Sequence, residues 1–351
     1  MSVVHTLGAS LLRRLFDAET AHTLTIHALK WGFGPCYAAP DLRALHTRVF
    51  GLDFPNPIGL AAGFDKNADV PDAMLQMGFG YAETGTVTPL PQVGNPQPRI
   101  FRLREDGAII NRLGFNNNGL AAYTSKLQAR RDRPGIVGAN IGANKDSIDR
   151  IADYLTCFDA LVGVADYFTI NVSSPNTPGL RGLQDRQSLQ RLSQKLNEAR
   201  SRAAVKIPLL LKIAPDLDQH ALADVVEVAL ANRIDGLVIS NTTITRNQAL
   251  QNSHRDQQGG LSGRPLYAMS TEMLRQVYRM SRGALPLVGV GGVSNGADAY
   301  GKIRAGASLV QLYTAMTFAG PDLARTIAVE LAELLARDGF ANVSDAVGVD
   351  V

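Results

Sequence analysis

The sequence is poor in several features that define large protein classes. It has two cysteines, Cys36 and Cys157, in 351 residues, which excludes a disulfide framework and a multi-cysteine metal site. Charged residues make up 19% of the chain, against about 25% in an average soluble domain. The 35 basic and 32 acidic residues leave a formal charge of +3, which does not predict a nucleic-acid-binding face.

The sequence also lacks an uninterrupted run of about 18 apolar residues, so we expect no membrane-spanning helix. Its N-terminus does not show the basic, apolar and small-residue order of a signal peptide. Residues 1–40 instead predict two short amphipathic helices, with Asp17 as the N-cap of the second and Gly34-Pro35 as its end. Their apolar faces hold Leu7, Leu11, Leu12, Leu15 and Phe16 in the first helix, and His22, Ile26, Leu29 and Phe33 in the second.

The rest of the chain alternates between short apolar runs and helical patterns. Most runs are continuously apolar, which is typical of strands buried on both faces of a parallel sheet. Eight such runs favour a (β/α)8 TIM barrel over an open doubly wound sheet. We therefore predict an α/β fold, with a barrel over residues 41–351 and a small two-helix extension over residues 1–40. The runs are Ile58–Ala62, Tyr81–Gly85, Ile136–Ile141, Tyr167–Val172, Leu209–Ile213, Gly236–Ile239, Leu287–Val290 and Ser308–Leu312.

Two segments interrupt this alternation and predict β-hairpins. Thr47–Phe54 precedes the first barrel strand and is placed to plug one end of the barrel. Arg99–Asn111 has Glu105-Asp106-Gly107 as its turn and lies between the second and third strands. We expect this second hairpin to contribute to function, because insertions after barrel strands border the site.

Polar groups follow every predicted strand, at the end of the barrel where functional residues lie. Acidic residues are nearly absent there, which argues against a divalent-metal cage and a paired-carboxylate glycosidase. Six asparagines fall in these loops or in the second hairpin, and amides both donate and accept hydrogen bonds. They predict a flat ligand with alternating donors and acceptors. The six are Asn111, Asn116, Asn140, Asn171, Asn176 and Asn241.

Two lysines and a glycine-rich turn point to an anionic ligand. Lys66 and Lys212 each close a small or apolar run, and a buried lysine is costly unless it meets an anion. For Lys212 the residues leave two roles open, a partner for a flavin edge and a Schiff-base lysine. The turn after the seventh strand can cradle a phosphate, although ordinary turn glycines explain it equally well. The phosphate candidates are Gly289, Gly291, Gly292, Tyr313 and Thr314.

Six motifs resemble those of the dihydroorotate dehydrogenase family, over residues from about 5 to about 340. The pieces Asn-Arg-x-Gly-Phe-Asn and Asn-x-Ser-Ser-Pro-Asn-Thr are the most specific of them. Ser240 departs from the family pattern, which usually has threonine there, but it keeps the hydroxyl. The motifs are residues 62–66 (Ala-Gly-Phe-Asp-Lys), 111–116 (Asn-Arg-Leu-Gly-Phe-Asn), 171–177 (Asn-Val-Ser-Ser-Pro-Asn-Thr), 211–216 (Leu-Lys-Ile-Ala-Pro-Asp), 240–243 (Ser-Asn-Thr-Thr) and 259–263 (Gly-Gly-Leu-Ser-Gly).

The resemblance implies an enzyme of pyrimidine biosynthesis that oxidises (S)-dihydroorotate to orotate, with FMN as the hydride acceptor. By motif position, the FMN contacts would be Ala62, Gly63, Lys66, Thr86, Asn140, Asn171, Lys212, Ser240, Gly263, Gly292, Tyr313 and Thr314. The substrate contacts would be Lys66, Asn111, Arg112, Leu113, Gly114, Phe115, Asn171, Asn176, Asn241 and Thr242.

The family is divided into classes by its catalytic base, which lies in the loop after the fourth strand. One class has a cysteine there, and a membrane class has a serine. This chain has Ser174 there, which implies the class that passes electrons to a membrane quinone. Residues 1–40 resemble that class as well, and His22 and Arg102 match positions that line its quinone tunnel. The resemblance therefore implies a peripheral protein on the cytoplasmic face of a bacterial cell membrane, without a metal or a nucleic-acid partner.

Three other functions compete with this interpretation. An FMN barrel with a soluble acceptor, fumarate or NAD, is disfavoured by Ser174 and by the N-terminal helices. A phosphate-binding aldolase acting through Lys212 would not bind a flavin. A membrane-surface adaptor would depend on residues 1–40 alone, and the dense polar strand ends argue against it.

Overall fold

A computed structural model of the protein describes residue 8, residues 15–37 and residues 42–351. The strands are β1 (Thr47–Val49), β2 (Leu52–Phe54), β3 (Ile58–Leu60), β4 (Tyr81–Val87), β5 (Ile100–Leu103), β6 (Ala108–Asn111), β7 (Ile136–Ile141), β8 (Tyr167–Asn171), β9 (Leu209–Ile213), β10 (Gly236–Ile239), β11 (Gly260–Gly263), β12 (Leu287–Val290) and β13 (Ala307–Leu312). The α-helices are α1 (Ala18–Lys30), α2 (Pro71–Gln76), α3 (Leu120–Ala129), α4 (Arg150–Leu161), α5 (Arg186–Arg202), α6 (Gln219–Ala231), α7 (Tyr267–Ser281), α8 (Gly296–Arg304), α9 (Thr314–Ala319) and α10 (Leu323–Arg337).

Eight parallel strands close into a barrel in the order β3-β4-β7-β8-β9-β10-β12-β13. Each corresponds to one of the predicted apolar runs, so the predicted (β/α)8 barrel is confirmed. The continuous apolar pattern arises because the strands are buried on both sides. Outward residues such as Ile170 and Leu211 pack against the helices, whereas inward residues fill the barrel.

The end of the barrel at which the strands begin is closed by apolar side chains. The predicted hairpin at Thr47–Phe54 is present as β1 and β2, and the Phe54 ring packs against Tyr81 at 5.2 Å between centroids. The rings of Tyr81 and Tyr167 lie across Gly59 and Gly138, where any Cβ atom would come within about 2.2 Å of a ring carbon. Since this end is filled, a ligand can enter only from the opposite end.

The second predicted hairpin is also present, as β5 and β6. It is joined by β11, which pairs with β6 and makes a three-stranded antiparallel sheet beside the barrel mouth. The sequence did not predict β11, because its four residues include two glycines and show no strand-like alternation.

One helix boundary differs from the sequence prediction. Helix α1 has Asp17 as its predicted N-cap but ends at Lys30, before Gly34-Pro35. Helix α2 begins at Pro71, because the Asp65 carboxylate accepts hydrogen bonds from the backbone of Asp69 and Val70, both at 2.7 Å, and holds that segment as a loop. Most of the first predicted helix, including Leu7, Leu11 and Leu12 of its apolar face, lies outside the described residues.

Helix α1 lies across the mouth of the barrel and is held by charged contacts. Glu19 pairs with the largely buried Arg99 at 2.5 Å, and Lys30 pairs with Asp69 at 3.0 Å. The Arg102 guanidinium donates to the backbone oxygens of the two residues that precede the helix. Within residues 15–37 and 42–351, no helix has the length and apolarity needed to cross a membrane.

Candidate active site

The open end of the barrel contains a cavity of about 520 Å³, within the range that small-molecule and cofactor sites occupy. Its wall is formed by the ends of the barrel strands, by the sheet of β5, β6 and β11, and by the start of α9. The cavity lies at the end where TIM-barrel enzymes carry their active sites.

The structure brings almost all the predicted cofactor and substrate residues into this one cavity. They are Ala62, Gly63, Lys66, Thr86, Asn111, Leu113, Gly114, Phe115, Asn171, Ser174, Asn176, Lys212, Ser240, Asn241, Thr242, Gly263, Gly292, Tyr313 and Thr314. Two predicted contacts do not line it. Asn140 is fully buried one layer below the cavity floor, and Arg112 points outward to hydrogen-bond Gln257 and the backbone oxygen of Pro98.

Ser174 is buried on the loop that follows β8, and its hydroxyl oxygen accepts a hydrogen bond from the backbone of Asn176 at 3.3 Å. The loop is fixed at both sides of the serine. Tyr154 donates to the backbone oxygen of Asn171 at 2.8 Å, and Arg181 donates to the backbone oxygen of Ser173 at 3.1 Å. Arg181 also pairs with Asp216 at 2.8 Å, so the serine is held against the loop after β9.

Lys66 places a positive charge beside the amide side chains of the cavity. Burial lowers the pKa of Lys66 to about 8, against the opposing charge of Glu19, and at neutral pH most of the lysine is still protonated. Asn176 donates to the side-chain oxygen of Asn111 at 3.3 Å, which joins the loop after β8 to the end of β6. This arrangement suits a planar carboxylate ligand with polar edges.

The cavity floor carries a second buried cation and an unpaired acceptor. Burial lowers the pKa of Lys212, whereas the charge of Glu83 opposes that shift. The side-chain oxygen of Gln311 is buried and has no hydrogen-bond partner among the described residues. A ligand that offers an N–H donor and an electron-rich edge at this level would satisfy both groups.

A glycine turn after β12 forms a close-fitting cradle at the side of the cavity. Gly291 and Gly292 have φ angles of 109° and 79°, a region that favours glycine. A Cβ atom on Gly292 would lie 2.5 Å from the Tyr267 side chain. The backbone N–H groups of such a turn, with the Thr314 hydroxyl, suit a phosphate.

Sequence reasoning missed several cavity residues. Ser262 exchanges a hydrogen bond of 2.8 Å with Thr314, and Arg264 and Phe318 also face the cavity. Ser262 lies inside a motif that the sequence did identify, so its hydroxyl was available as a signal. Arg264 and Phe318 belong to turns and helices that look ordinary in the sequence, and only the closing of the barrel brings them to the site.

His22 and Arg102 lie outside the main cavity, close to its wall. The His22 ring packs edge-on against Phe64 at 5.2 Å, and its Nδ1 lies 3.4 Å from the Tyr313 hydroxyl. Burial, reinforced by the charge of Lys66, lowers the pKa of His22 to about 3, so the ring is neutral at physiological pH. A second, polar cavity of about 280 Å³ separates α1 from the barrel here, and Lys66 borders both cavities.

Comparison with known proteins matches this chain to one family. The family model described as dihydroorotate dehydrogenase matches residues 44–335. The chain belongs to the dihydroorotate dehydrogenase family. It is 59% identical to a dihydroorotate dehydrogenase (quinone) from Parvibaculum lavamentivorans and 53% identical to one from Xanthobacter autotrophicus, each over 97% of both chains. A crystal structure of DHODH from Eimeria tenella in complex with ferulenol has a TM-score of 0.93 and 41% identity, over 97% of this chain and 98% of that one.

Dihydroorotate dehydrogenases depend on FMN, and the residues of the cavity fit that cofactor. The orphaned Gln311 oxygen, the buried Lys212 and the glycine cradle each provide what a phosphorylated flavin needs. No cysteine of the described residues lines the cavity: Cys36 is exposed, and Cys157 is buried in α4, where burial raises the pKa of its thiol. Among the candidate bases of the two classes, only the serine is therefore placed at the site.

Proposed function

We propose that this chain oxidises dihydroorotate to orotate with FMN and passes the electrons to a membrane quinone, as a step of pyrimidine biosynthesis. The observation that carries the proposal is the single cavity shared by Ser174, Lys66, the asparagine amides, Lys212 and the glycine cradle. The quinone as acceptor is supported by relatives named dihydroorotate dehydrogenase (quinone) that are 53–59% identical over nearly their full length.

The turn at Gly291 and Gly292 together with Thr314 would hold the FMN phosphate, and the floor residues Lys212 and Gln311 would hold the flavin ring. When bound, FMN would supply the acceptor for the hydride that leaves C6 of the substrate. Lys212 would place a positive charge near this acceptor and would stabilise negative charge there without any rearrangement at the moment of reaction.

Ser174 removes the proton from C5 of dihydroorotate. A serine hydroxyl is a weak base, so its surroundings must assist it. Its burial excludes bulk water, and its loop is pinned by Tyr154 and Arg181. The buried Thr177 hydroxyl, three residues further on, has no hydrogen-bond partner among the described residues and is available to carry the proton onward.

Lys66 pairs with the carboxylate of the substrate, and the amides of Asn111, Asn176 and Asn241 hold the polar edges of its ring. A neutral amide can donate to a carbonyl and accept from an N–H of the same ligand. The donors come from strands and from pinned loops, so they are already in position before the substrate binds, which favours the reacting geometry.

We propose that residues 1–40 form the access segment for a lipid-dissolved quinone, and that residues 41–351 form the FMN-binding barrel. Helix α1 covers the barrel mouth, where its own His22 lies 3.4 Å from the Tyr313 hydroxyl and Arg102 donates to the backbone oxygens just before its start. Its outer side exposes Leu24 and, just beyond the helix, Trp31 and Phe33. Exposed aromatic and aliphatic side chains beside basic residues are typical of interfacial helices, so we place the protein at the cytoplasmic surface of a cell membrane.

The two half-reactions offer a test of this proposal. Purified protein should show a flavin absorbance that bleaches when dihydroorotate is added without oxygen, and a long-chain quinone in vesicles should restore the colour. The variant Trp31→Gln/Phe33→Gln should bleach at the wild-type rate, because both residues lie outside the cavity. Its vesicle binding and its reduction of the long-chain quinone should fall about tenfold, since it loses exposed apolar area that enters the membrane.

The control is Val205→Gln, which replaces an exposed apolar residue ahead of β9, at the closed end of the barrel. It should leave both half-reactions and vesicle binding unchanged. If the protein does not bleach with dihydroorotate, the proposed reaction is wrong. If the double variant still binds vesicles and reduces the long-chain quinone like the wild type, the proposed membrane contact of this segment is wrong. If the wild type bleaches with dihydroorotate but reduces no quinone, a soluble acceptor, fumarate or NAD, takes the place of the quinone.

A further inference from the structure

A single buried carboxylate, Glu83, lies at the centre of the polar layer below the cavity floor. It is fully buried on β4 and takes part in no step described above. Its Oε1 accepts from the Asn140 amide at 2.8 Å. Its Oε2 accepts from Thr169 at 2.8 Å, from Gln311 at 2.9 Å and from Tyr167 at 3.2 Å. The carboxylate therefore joins donors from β7, β8 and β13, across the interior of the barrel.

The Asn140 amide continues this network toward the cavity. Because its NH2 group faces Glu83, its oxygen faces the other way and accepts from Thr86 at 2.5 Å and from the Asn171 amide at 3.2 Å. The oxygen of Asn171 in turn accepts from the Asn241 amide at 3.2 Å. Asn171 and Asn241 line the cavity, whereas Asn140 and Glu83 do not.

The orientation of the Asn140 amide needs a cause. Rotating a side-chain amide by 180° exchanges its donor and its acceptor while the shape stays nearly the same. The two outer amides are oriented by the backbone, because the N–H of Ser173 donates to the Asn171 oxygen at 3.3 Å and the N–H of Thr242 donates to the Asn241 oxygen at 2.8 Å. Asn140 bonds to side chains, and a carboxylate without a proton only accepts, so Glu83 is the group that turns the Asn140 oxygen toward Asn171.

We propose that Glu83 is the positioning residue that turns the Asn140 oxygen toward the Asn171 amide and thereby holds Asn171 and Asn241 in the arrangement that binds orotate. The inference rests on the proposed function, because it takes Asn171 and Asn241 as ligand contacts. Glu83 does not line the cavity; it reaches these two residues through Asn140, and it also accepts from Gln311 and places a negative charge near Lys212, which the FMN content reports.

The substitution Glu83→Gln should turn Asn140 against Asn171. Three donors surround Oε2 and one surrounds Oε1, so the oxygen of the introduced amide will face the three and its NH2 group will face Asn140. Asn140 must then turn its own oxygen toward position 83, and its NH2 group meets the NH2 group of Asn171, which the Ser173 backbone holds in its orientation. Asn171 loses its acceptor and is displaced from its place in the cavity wall.

A second substitution can restore the acceptor for Asn171. In Glu83→Gln/Asn140→Asp, the new carboxylate at position 140 accepts from the introduced amide on one side and from Thr86 and Asn171 on the other. The negative charge moves by one residue, and Asn171 regains the acceptor that it has in the wild type. Thr169→Val is the matched control, because it removes one donor from Oε2 and leaves both the charge and the Asn140 bond in place.

The measurement is the orotate Kd of each FMN-loaded protein by calorimetry, together with the FMN content and the melting temperature. Glu83→Gln should raise the Kd at least tenfold, about the effect of one lost hydrogen bond. The double variant should return to within about threefold of the wild type, and so should Thr169→Val. Should Glu83→Gln fail to fold while the double variant folds and binds, the proposal is equally supported.

Two results would overturn the proposal. One is a folded Glu83→Gln protein that binds orotate like the wild type. The other is a double variant that binds as weakly as the single one or does not fold, since a restored acceptor for Asn171 must restore both properties. A wild-type protein that binds no orotate would instead contradict the proposed function, so the two failures are distinct.

Discussion

Side chains at the barrel mouth find their partners within the protein, whereas apolar side chains on and beside the helix that covers it are exposed to solvent. Inside the barrel, the carboxylate of Glu83 accepts four hydrogen bonds, although it is out of contact with solvent. On α1 and the residues beside it, Trp31 and Phe33 expose 81% and 67% of their surface. In the first region the protein itself supplies most of the hydrogen-bond partners, and the Gln311 oxygen and the Thr177 hydroxyl stay unpaired among the described residues, whereas the second region leaves apolar groups in water. This contrast is what the proposed function predicts, with the chemistry on fixed internal contacts and the membrane contact on the helix.

The largest expected effect tests the barrel side of this comparison. Ser174→Ala should keep FMN and bind orotate, because the hydroxyl makes only one described protein contact, with the backbone of Asn176. Bleaching by dihydroorotate should slow by about 10²–10⁴, the usual contribution of a general base. Stopped-flow absorbance under anaerobic conditions measures it.

Vesicle binding by the same variant should equal that of the wild type, since Ser174 lies inside the barrel. Thr317→Val, which alters a hydroxyl on α9 away from the serine loop, serves as the control for general damage to the mouth. Near-normal bleaching by Ser174→Ala would show that this serine is not the base. The chemistry would then not depend on the fixed contacts around Ser174.

The next effect concerns the joint between the two regions. Glu19→Gln removes the charge that pairs with Arg99, whose side chain is 9% exposed. Taking one partner from a largely buried pair costs about 3 kcal/mol, and we expect this loss to loosen α1 from the barrel. Amide hydrogen exchange across residues 18–30 should then accelerate about 100-fold, while the barrel strands keep their protection.

The matched control is Lys30→Gln, which breaks the pair with Asp69 on the same helix. Lys30 is 45% exposed, and exposed pairs contribute less than about 1 kcal/mol. Its exchange should rise less than tenfold. If both variants exchange alike, or if the barrel strands lose protection together with α1, the helix is not a separately held element.

The sequence was sufficient for the barrel and for most of the cavity, because these depend on local patterns. Most barrel strands are continuous apolar runs, and the polar groups that follow such runs must meet at one end. Asn140 and Arg112 show the limit of this reasoning. Both lie in the right motifs, but one faces Glu83 below the floor and the other faces Gln257 outside, and the direction of a side chain depends on neighbours from other strands.

Glu83 was missed for the same reason. A lone acidic residue within the run Tyr81–Gly85 is visible in the sequence, but its four partners come from three other strands and are up to 228 positions away. The strand β11 was missed because its pairing with β6 compensates for a glycine-rich sequence that favours no strand. In both cases the structure depends on pairing between residues that are far apart in the sequence.

The smallest expected effect concerns Lys302, a buried charge that is less completely paired than Glu83 in the barrel. Lys302 on α8 is fully buried, and its ammonium bonds to the Ser270 hydroxyl at 2.6 Å and lies 5.0 Å from the centre of the Tyr267 ring. No carboxylate of the described residues lies within ion-pair distance of it. Burial lowers the pKa of Lys302 well below its usual value, Asp298 opposes this shift, and Arg275 adds to it.

Lys302→Met should therefore stabilise the protein by about 1 kcal/mol at neutral pH, because a buried charge with incomplete compensation is removed. The sign of the pH dependence follows from the lowered pKa. Between the folded-state pKa and the usual value of about 10.4, the unfolded chain holds the proton and the folded chain does not, so the wild-type free energy of unfolding rises with pH. The variant lacks this rise, and its advantage should shrink as the pH approaches 10.

Urea unfolding at several pH values measures both effects, with the exposed Lys206→Met as the control that should change neither. An advantage of Lys302→Met that is constant with pH would show that packing, and not the buried charge, limits stability at this position.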